Sequence, residues 1–236
     1  MSEHTMRSFN QELDGLKAQV MSLGRLAQEQ LNGALDAAGK LDAGLAKRIL
    51  QREPEANRMA LDIDQFAIRL LALRQPVAND LRAVLSALRM ANELERVCDY
   101  AADLAERLIT LRASGEEPMR ALGDIGRFAV LMLKDAMDAY EAGNDRQAED
   151  VWSRDKELDR RYTELFRQLL DYMIKDTQRI SVGTQMLFMA RDIERVGDRA
   201  TNIAEDVCYL VRGTMPQEIR PKADATRSIV SPAKST

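Results

Sequence analysis

The sequence predicts an all-α protein made of two tandem, internally duplicated three-helix bundles of long antiparallel helices. Three observations lead to this prediction: a composition that favours helices, apolar residues at helical spacing, and a second half that repeats the first. Aromatic residues make up only 5% of the 236 residues, while Ala, Leu, Glu and Arg abound, which favours helices over strands. This length allows one large domain or two of about 100 residues each.

Three helices account for the first half of the chain. Apolar residues at alternating steps of four and three predict helix 1 over residues 9–27, ended by the glycines and aspartate of residues 39–44. Helix 2 carries its apolar residues over 49–70, and Pro76 breaks the chain after it because proline cannot continue a helix. Helix 3 carries its apolar residues over 94–111.

The second half follows the same plan. Residues 113–119 form the best domain boundary, where a glycine stops one helix and a proline suits the first turn of the next. The apolar positions of helices 4, 5 and 6 run over 122–136, 151–172 and 193–210. Sustained 3-4 spacing predicts near-parallel packing at about 20°, and short connections predict antiparallel neighbours.

The predicted domains are therefore a first bundle over residues 1–113, a second over 118–213, and a tail over 214–236. The tail is polar, contains prolines and has no periodicity, so we expect it to be disordered. The duplication itself is visible in "ELERVCDYAADLAE" (93–106) and "DIERVGDRATNIAE" (192–205). At an offset of 99 residues, these share Glu, Arg, Val, Asp, two Ala and Glu, with the apolar positions in the same register.

Each repeat carries two acids four residues apart, Glu95 with Asp99 and Glu194 with Asp198. On a helix these like charges stack on one face at a small cost in stability. Counting about 100° per residue from the apolar positions puts both pairs on the outer surface of the bundle. Asp103 and its counterpart Asn202 turn further away.

Other acids fall in positions of the apolar stripes. Glu53 in helix 2 and Asp155 in helix 5 occupy corresponding slots, where an unpaired carboxylate is costly. Each begins another four-residue spacing, Glu53 with Asn57 and Asp155 with Asp159, and the second member of each pair turns towards the surface. Since Pro54 follows Glu53, helix 2 is expected to kink or start there.

Folding each hairpin back on itself brings Glu53 level with Asp99, and Asp155 level with Asp198 or Arg199. Clustered carboxylates raise each other's proton affinity or recruit a cation, and all-oxygen sites suit hard cations such as Mg²⁺, Ca²⁺ or Mn²⁺. The alternative is a pair of solvated acidic faces, in which Arg96 and Arg195 pair with nearby acids and Asp103 pairs with Arg107.

Several function classes are excluded. A net charge of −4, a pI near 5.3 and the lack of a basic stripe argue against nucleic-acid binding. The only histidine is His4, and no P-loop, dinucleotide fingerprint or Glu-x-x-His motif occurs, so we expect no catalytic residues. Cys98, which stands where the second repeat has Gly197, is interpreted as a small packed residue. The two cysteines and the lack of a signal or membrane segment predict a cytosolic protein.

The segments "RQPVANDLRAVLSALRMANELERVCDYAADLAE" and "ARDIERVGDRATNIAED" closely resemble the two signature repeats of the PhoU family of phosphate-signalling accessory proteins. The resemblance extends to about residue 212. It implies a cytosolic protein, often a homodimer, that represses the phosphate-starvation response when phosphate is plentiful. Such a protein acts between the ATPase of a phosphate ABC transporter and a sensor histidine kinase, and reaches the membrane only through these partners.

The resemblance also implies metal ions at E(D)xxxD motifs, with Mg, Mn, Fe or Zn as possibilities. The matching residues are Glu95, Asp99, Asp155, Asp159, Glu194 and Asp198, with Glu53 and Asn57 as the counterparts in the first bundle. The first site departs from the family pattern by Asn57, Pro54 and Cys98. Asp80 lies in the other well-matched stretch, where it caps helix 3 or binds a partner. A metal-dependent hydrolase and a structural adaptor without metal are the rival interpretations.

Overall fold

The structure, a computed structural model, describes residues 3–111, 116–215, 222–226 and 229, without the side chains of 3–7 and 116–118. Within these ranges the chain forms helices and no strands. The α-helices are α1 (Glu3–Lys40), α2 (Ala43–Leu50), α3 (Glu53–Arg74), α4 (Ala78–Thr110), α5 (Glu116–Ala142), α6 (Asp145–Ile174) and α7 (Ile180–Arg212). A short 3₁₀ helix, Thr177–Arg179, joins α6 to α7. The all-α prediction is confirmed.

Two three-helix bundles lie side by side. The first contains α1, α4 and the α2–α3 arm, and the second contains α5, α6 and α7. The bundles pack together through α4 against α7 and α1 against α5. Where α1 packs against α5, Gly126 on α5 faces the side chain of Leu35 on α1. Because glycine has no side chain, the two helices can approach closely at this point. No helix within the described ranges is both long enough and apolar enough to cross a membrane.

The predicted second helix is two helices. Helix α2 ends at Leu50 and α3 begins at Glu53, with Pro54 in its first turn. Proline suits this position because its missing N–H would have no partner within the helix. The turn between the helices is held by the N–H of Arg52, which donates to the carbonyl of Ile49 at 3.0 Å. The expected kink or start at Glu53 is therefore confirmed as a start.

Local chemistry explains where other helices begin and end. The carboxylate of Asp42 caps α2 by accepting the N–H groups of Gly44 and Leu45, at 2.9 and 3.0 Å. Helix α7 ends at Arg212, and the following Gly213 has φ +78°, a left-handed conformation that glycine adopts without steric cost. Helix α5 begins at Glu116, so Pro118 lies in its first turn as expected. Gly115, part of the predicted boundary, lies outside the described residues.

The interface between the bundles contains three arginine–acid pairs that join α4 to α7. These are Arg89 with Asp206 at 3.2 Å, Arg107 with Asp192 at 3.1 Å, and Arg199 with Glu93 at 3.0 Å. The sequence predicts that Arg107 pairs with Asp103 on its own helix. In the structure, Nε of Arg107 instead donates to Oδ2 of Asp192 in the second bundle.

Residues 222–226, in the segment for which the sequence predicted disorder, lie against α6 and α7 in the structure. Thr226 is nearly buried, and the N–H of Ala225 donates to the hydroxyl of Thr163 on α6 at 3.2 Å. This placement depends on polar contacts with a distant part of the chain, which periodicity along the tail does not reveal.

Candidate functional site

Four carboxylates gather between α6 and α7 of the second bundle: Asp155 and Asp159 from α6, and Glu194 and Asp198 from α7. Asp155, Asp159 and Glu194 are buried, with exposed fractions of 1, 1 and 3%. The expectation that Glu194 and Asp159 face the outer surface is wrong. The C-terminal segment, residues 222–226, lies against Asp159, and its Lys222 is near enough to Glu194 to lower the pKa of that carboxyl. We call these four residues the second acidic cluster.

Lys222 supplies a positive charge to this cluster. Its ammonium nitrogen lies 2.5 Å from Oδ1 of Asp198 and 3.5 Å from Oδ2 of Asp155. One side chain from the C-terminal segment thus bridges an acid of α6 and an acid of α7. Asp155 also accepts a hydrogen bond from the hydroxyl of Thr201 at 3.3 Å.

The backbone of the same segment binds Asp159. Oδ2 of Asp159 accepts the N–H groups of Ala223 and Asp224, at 2.7 and 3.2 Å. The side chain of Asp224 then folds back to accept the N–H and hydroxyl of Thr226, at 2.9 and 2.7 Å. Asp224 also lies 3.4 Å from Arg191 on α7.

Two oxygen atoms of the cluster have no hydrogen-bond donor. Oδ1 of Asp159 and Oε2 of Glu194 are both buried. Arg191 lies 3.4 Å from Oε2 of Glu194, close enough for an ion pair but without hydrogen-bond geometry. Buried polar atoms are nearly always satisfied in folded proteins, so each of these two oxygens has unused capacity to accept a hydrogen bond or to bind a cation.

The electrostatics of the cluster follow from its burial. Burial raises the pKa of Glu194 to about 7, and the neighbouring Asp198 carboxylate adds to the shift. Burial also raises the pKa of Asp159, against the lowering effect of the Ala223 N–H. Both shifts disfavour the ionised carboxylate. A cation bound beside these carboxylates would stabilise the ionised form and so lower both pKa values.

The corresponding cluster of the first bundle lies between α3 and α4. A groove of about 340 Å³ is lined by Leu50, Glu53, Asp99, Ala102, Asp103 and Glu106. Glu95 lies close enough to Asp99 and Glu53 for both charges to raise its pKa, after the larger effect of burial. Burial likewise raises the pKa of Asp99. Glu53, Glu95 and Asp99 form the first acidic cluster.

The first acidic cluster is more open than the second. The side chains of Glu95 and Asp99 are 28 and 29% exposed, and both lie near Arg96, at 3.8 and 3.4 Å. This matches the prediction that Arg96 pairs with nearby acids. In the second repeat, the counterpart Arg195 pairs with Asp192 at 3.8 Å.

The remaining predicted residues lie around these clusters. Asn57 is exposed on α3, and Asn202 is partly exposed on α7. Helix α4 begins at Ala78, with Val77 at the N-cap and no side-chain cap hydrogen bond. Asp80 therefore does not cap the helix through its side chain but lies in the first turn, where its charge is favourable.

Cys98 is fully buried, and burial raises the pKa of its thiol to about 12. Such a thiol is a poor nucleophile at neutral pH because very little of it is ionised. The interpretation of Cys98 as a packed core residue agrees with this placement.

As arranged, no group of three or more His, Cys, Asp or Glu side chains in the described ranges could hold a metal ion. In the second acidic cluster, the ammonium of Lys222 and the guanidinium of Arg191 supply the positive charge. Sequence reasoning missed Lys222, because it lies in the aperiodic tail, and it missed the buried acids Asp192 and Asp206 of the bundle interface. The available signal was the duplication: Asp192 stands at the position of Glu93, and each of the two pairs with an arginine of the other bundle.

Both bundles are similar to a known protein family. A family model described as the PhoU domain matches residues 20–108 and again 122–207. The phosphate-specific transport system accessory protein PhoU homolog of Rhizobium meliloti (strain 1021) is 36% identical over 230 residues, covering 97% of each chain. The Caulobacter vibrioides (strain NA1000 / CB15N) protein of the same description is 37% identical over 228 residues, covering 95% of this chain and 98% of its own.

Two solved structures share the fold. The crystal structure of PhoU from Pseudomonas aeruginosa has a TM-score of 0.81 and 36% identity, covering 87% of this chain and all of that one. The phosphate transport system regulatory protein PhoU from Streptococcus pneumoniae has a TM-score of 0.82 and 29% identity, covering 89% of this chain and all of that one. From the paired helical repeats, the duplicated acidic motifs and these full-length matches, we conclude that the chain belongs to the PhoU family.

Proposed function

We propose that this protein is a non-enzymatic regulator of phosphate uptake and of the phosphate-starvation response. In this proposal it works in the cytoplasm, as a homodimer, between a phosphate ABC transporter ATPase and a sensor histidine kinase, and it represses the response when phosphate is plentiful. It reaches the membrane only through these partners and binds no nucleic acid.

The observation that carries the proposal is similarity along almost the whole chain to proteins described as accessory to phosphate-specific transport. The architecture is compatible with such a role. Two bundles of long helices present extended surfaces suited to binding other proteins, and the net charge of −4 does not suit nucleic acid.

We further propose that the two acidic clusters bind divalent or trivalent cations, with Mg, Mn, Fe and Zn as possibilities. Asp155, Asp159, Glu194 and Asp198 would hold a cation in the second bundle, and Glu53, Glu95 and Asp99, with Asn57, in the first. Carboxylate oxygens suit hard cations. Support comes from the raised pKa values of Glu95, Asp99, Asp159 and Glu194 and from the unsatisfied oxygens of Asp159 and Glu194. A bound cation would add positive charge and order the groove between two helices.

The regulatory proposal is tested by deleting the gene and measuring phosphate-starvation gene expression in high phosphate. We expect expression to rise several-fold and to return to the original level when the wild-type gene is restored. Unchanged expression in the deletion strain would contradict the proposal.

Cation binding is tested by elemental analysis of purified protein and by the melting shift on adding Mg²⁺, Mn²⁺ or Fe³⁺. The double variant Glu95→Gln with Asp99→Asn should lose binding in the first bundle. No metal in the protein, and no shift with any ion, would favour a helical adaptor whose acids are only solvated.

A metal-dependent hydrolase is the remaining alternative. It requires phosphatase activity in the purified protein, and that activity must disappear in Asp198→Ala. We expect no such activity above that of a matched buffer control.

A further inference from the structure

The C-terminal segment Lys222–Thr226 binds the second acidic cluster with both its side chains and its backbone. The ammonium of Lys222 bridges Asp155 and Asp198, while two consecutive N–H groups converge on one oxygen of Asp159. The next N–H, that of Ala225, is accepted by Thr163. Three consecutive N–H groups of the segment thus have acceptors on α6. The segment is therefore held in the groove by specific hydrogen bonds.

The two bundles provide an internal comparison. Asp159 in the second bundle is 1% exposed, whereas the side chain of Asp99 in the first bundle is 29% exposed. In the first bundle the positive charge beside Glu95 and Asp99 comes from Arg96 on the same helix, and not from a separate segment of the chain. The duplicated sequence therefore builds two acidic clusters, and the C-terminal segment distinguishes them.

The charges at the second cluster remain unbalanced. Four carboxylates face the ammonium of Lys222 and the guanidinium of Arg191. In addition, Oδ1 of Asp159 and Oε2 of Glu194 are buried and lack a hydrogen-bond donor. A divalent cation could use these two oxygens, but the Lys222 ammonium already lies against the two other acids of the cluster.

We propose that Lys222–Thr226 is an intramolecular ligand of the second acidic cluster, and that a divalent cation and this segment compete for it. Binding of the cation releases the segment, and docking of the segment keeps the cation out. The cation half of this inference rests on the proposed cation binding, whereas the docking half does not. The first acidic cluster has no such competitor and binds its cation independently of the tail.

The experiment uses the full chain and hydrogen exchange of the backbone amides of Ala223 and Asp224, read by mass spectrometry. We expect slow exchange in the wild type and at least about tenfold faster exchange in Lys222→Met, which keeps the apolar stem but removes the charge. Lys175→Met, at the exposed C-terminal end of α6, is the matched control and should not change this exchange. Equal exchange in wild type, Lys222→Met and the control would overturn the docking.

Competition is tested with Mn²⁺ in the background Glu95→Gln with Asp99→Asn, which removes the first cluster. Adding Mn²⁺ should speed the exchange of the two amides in a saturable way, and Lys222→Met should bind Mn²⁺ at least about tenfold more tightly. Mn²⁺ binding that leaves the exchange unchanged would overturn the competition, as would absence of binding to Lys222→Met. Either failure leaves the regulatory function open, because that is measured by gene expression in the deletion strain.

Discussion

Gly197 on α7 packs directly against Leu158 on α6, so that a β-carbon at residue 197 would overlap the leucine side chain. In the first repeat, the corresponding positions hold Cys98 and Ala56, and both are fully buried. The duplicated bundles thus fill the same space in opposite ways. In the second bundle the larger residue of the two positions is on α6, and in the first bundle it is on α4.

Replacing Gly197 with alanine should destabilise the protein. Overpacking of a close-packed core costs roughly 1–3 kcal/mol, and urea denaturation measures the loss. Leu158→Ala alone should cost about 2–5 kcal/mol through the cavity it leaves. The double variant should cost clearly less than the sum, because the added methyl group then has room.

The control for this experiment is Gly15→Ala on α1. A β-carbon there meets no atom within 4 Å, so alanine should raise stability by about 0.5–1 kcal/mol through its helix propensity. Equal effects at the two glycines would show that packing against Leu158 does not limit residue 197.

The fold could be predicted from the sequence because the spacing of apolar residues along each long helix indicates which face is buried. The duplication then placed Glu95 with Glu194 and Asp99 with Asp198 at matching positions. Periodicity describes one helix and its own bundle, however, and does not show what covers the bundle from elsewhere. Glu194 was therefore predicted on the surface, whereas it is only 3% exposed in the structure, near a segment that contains Lys222.

The interface between the bundles was missed for a related reason. Asp192 and Asp206 are buried, with exposed fractions of 3 and 4%, because α4 packs on α7. Their arginine partners lie in the other half of the chain. A sequence register places such acids at the edge of a bundle but does not specify the second bundle against which that edge packs.

Breaking the pair between Arg107 and Asp192 should destabilise the contact between the bundles. In Arg107→Met the carboxylate of Asp192 stays buried and loses its closest charged partner, at an expected cost of about 1.5–3 kcal/mol in urea denaturation. Adding Asp192→Asn should recover part of this loss, since the buried group is then neutral.

An exposed pair provides the comparison for that measurement. Arg127 and Asp124 form an i,i+3 pair on α5 with side chains 69 and 61% exposed. Arg127→Met should cost less than about 0.5 kcal/mol, because water already solvates both charges. A similar loss at Arg107 and Arg127 would contradict a role for Arg107 in joining the bundles.

Both thiols should be unreactive in the folded protein. Burial raises the pKa of Cys98 to about 12 and also raises that of Cys208, and thiol reagents require both the thiolate and access. At pH 8, dithionitrobenzoate should label neither cysteine in native protein and both in urea. Rapid native labelling of Cys98 would support a redox role for this residue.

The buried Asp206 should make stability depend on pH in a direction opposite to that of most paired carboxylates. Burial raises the pKa of Asp206 from 3.8 to about 6, although the nearby Arg89 guanidinium lowers it. The folded protein thus binds this proton more tightly than the unfolded chain does. The resulting contribution to stability is complete below pH 3.8 and is lost as the pH rises through about 6.

Asp206→Asn removes this titration and keeps a side-chain oxygen that can accept from Arg89. The stability of the wild type minus that of the variant should therefore fall between pH 4 and 7.5, by roughly 2–3 kcal/mol at about 1.4 kcal/mol per pKa unit. Urea denaturation at several pH values measures this difference, from which the titration of other groups cancels. In Arg89→Met the fall should extend to higher pH and be larger, because the positive charge that favours the Asp206 carboxylate in the folded protein is gone. A difference that stays constant over this range would show that Asp206 titrates alike in the folded and unfolded states.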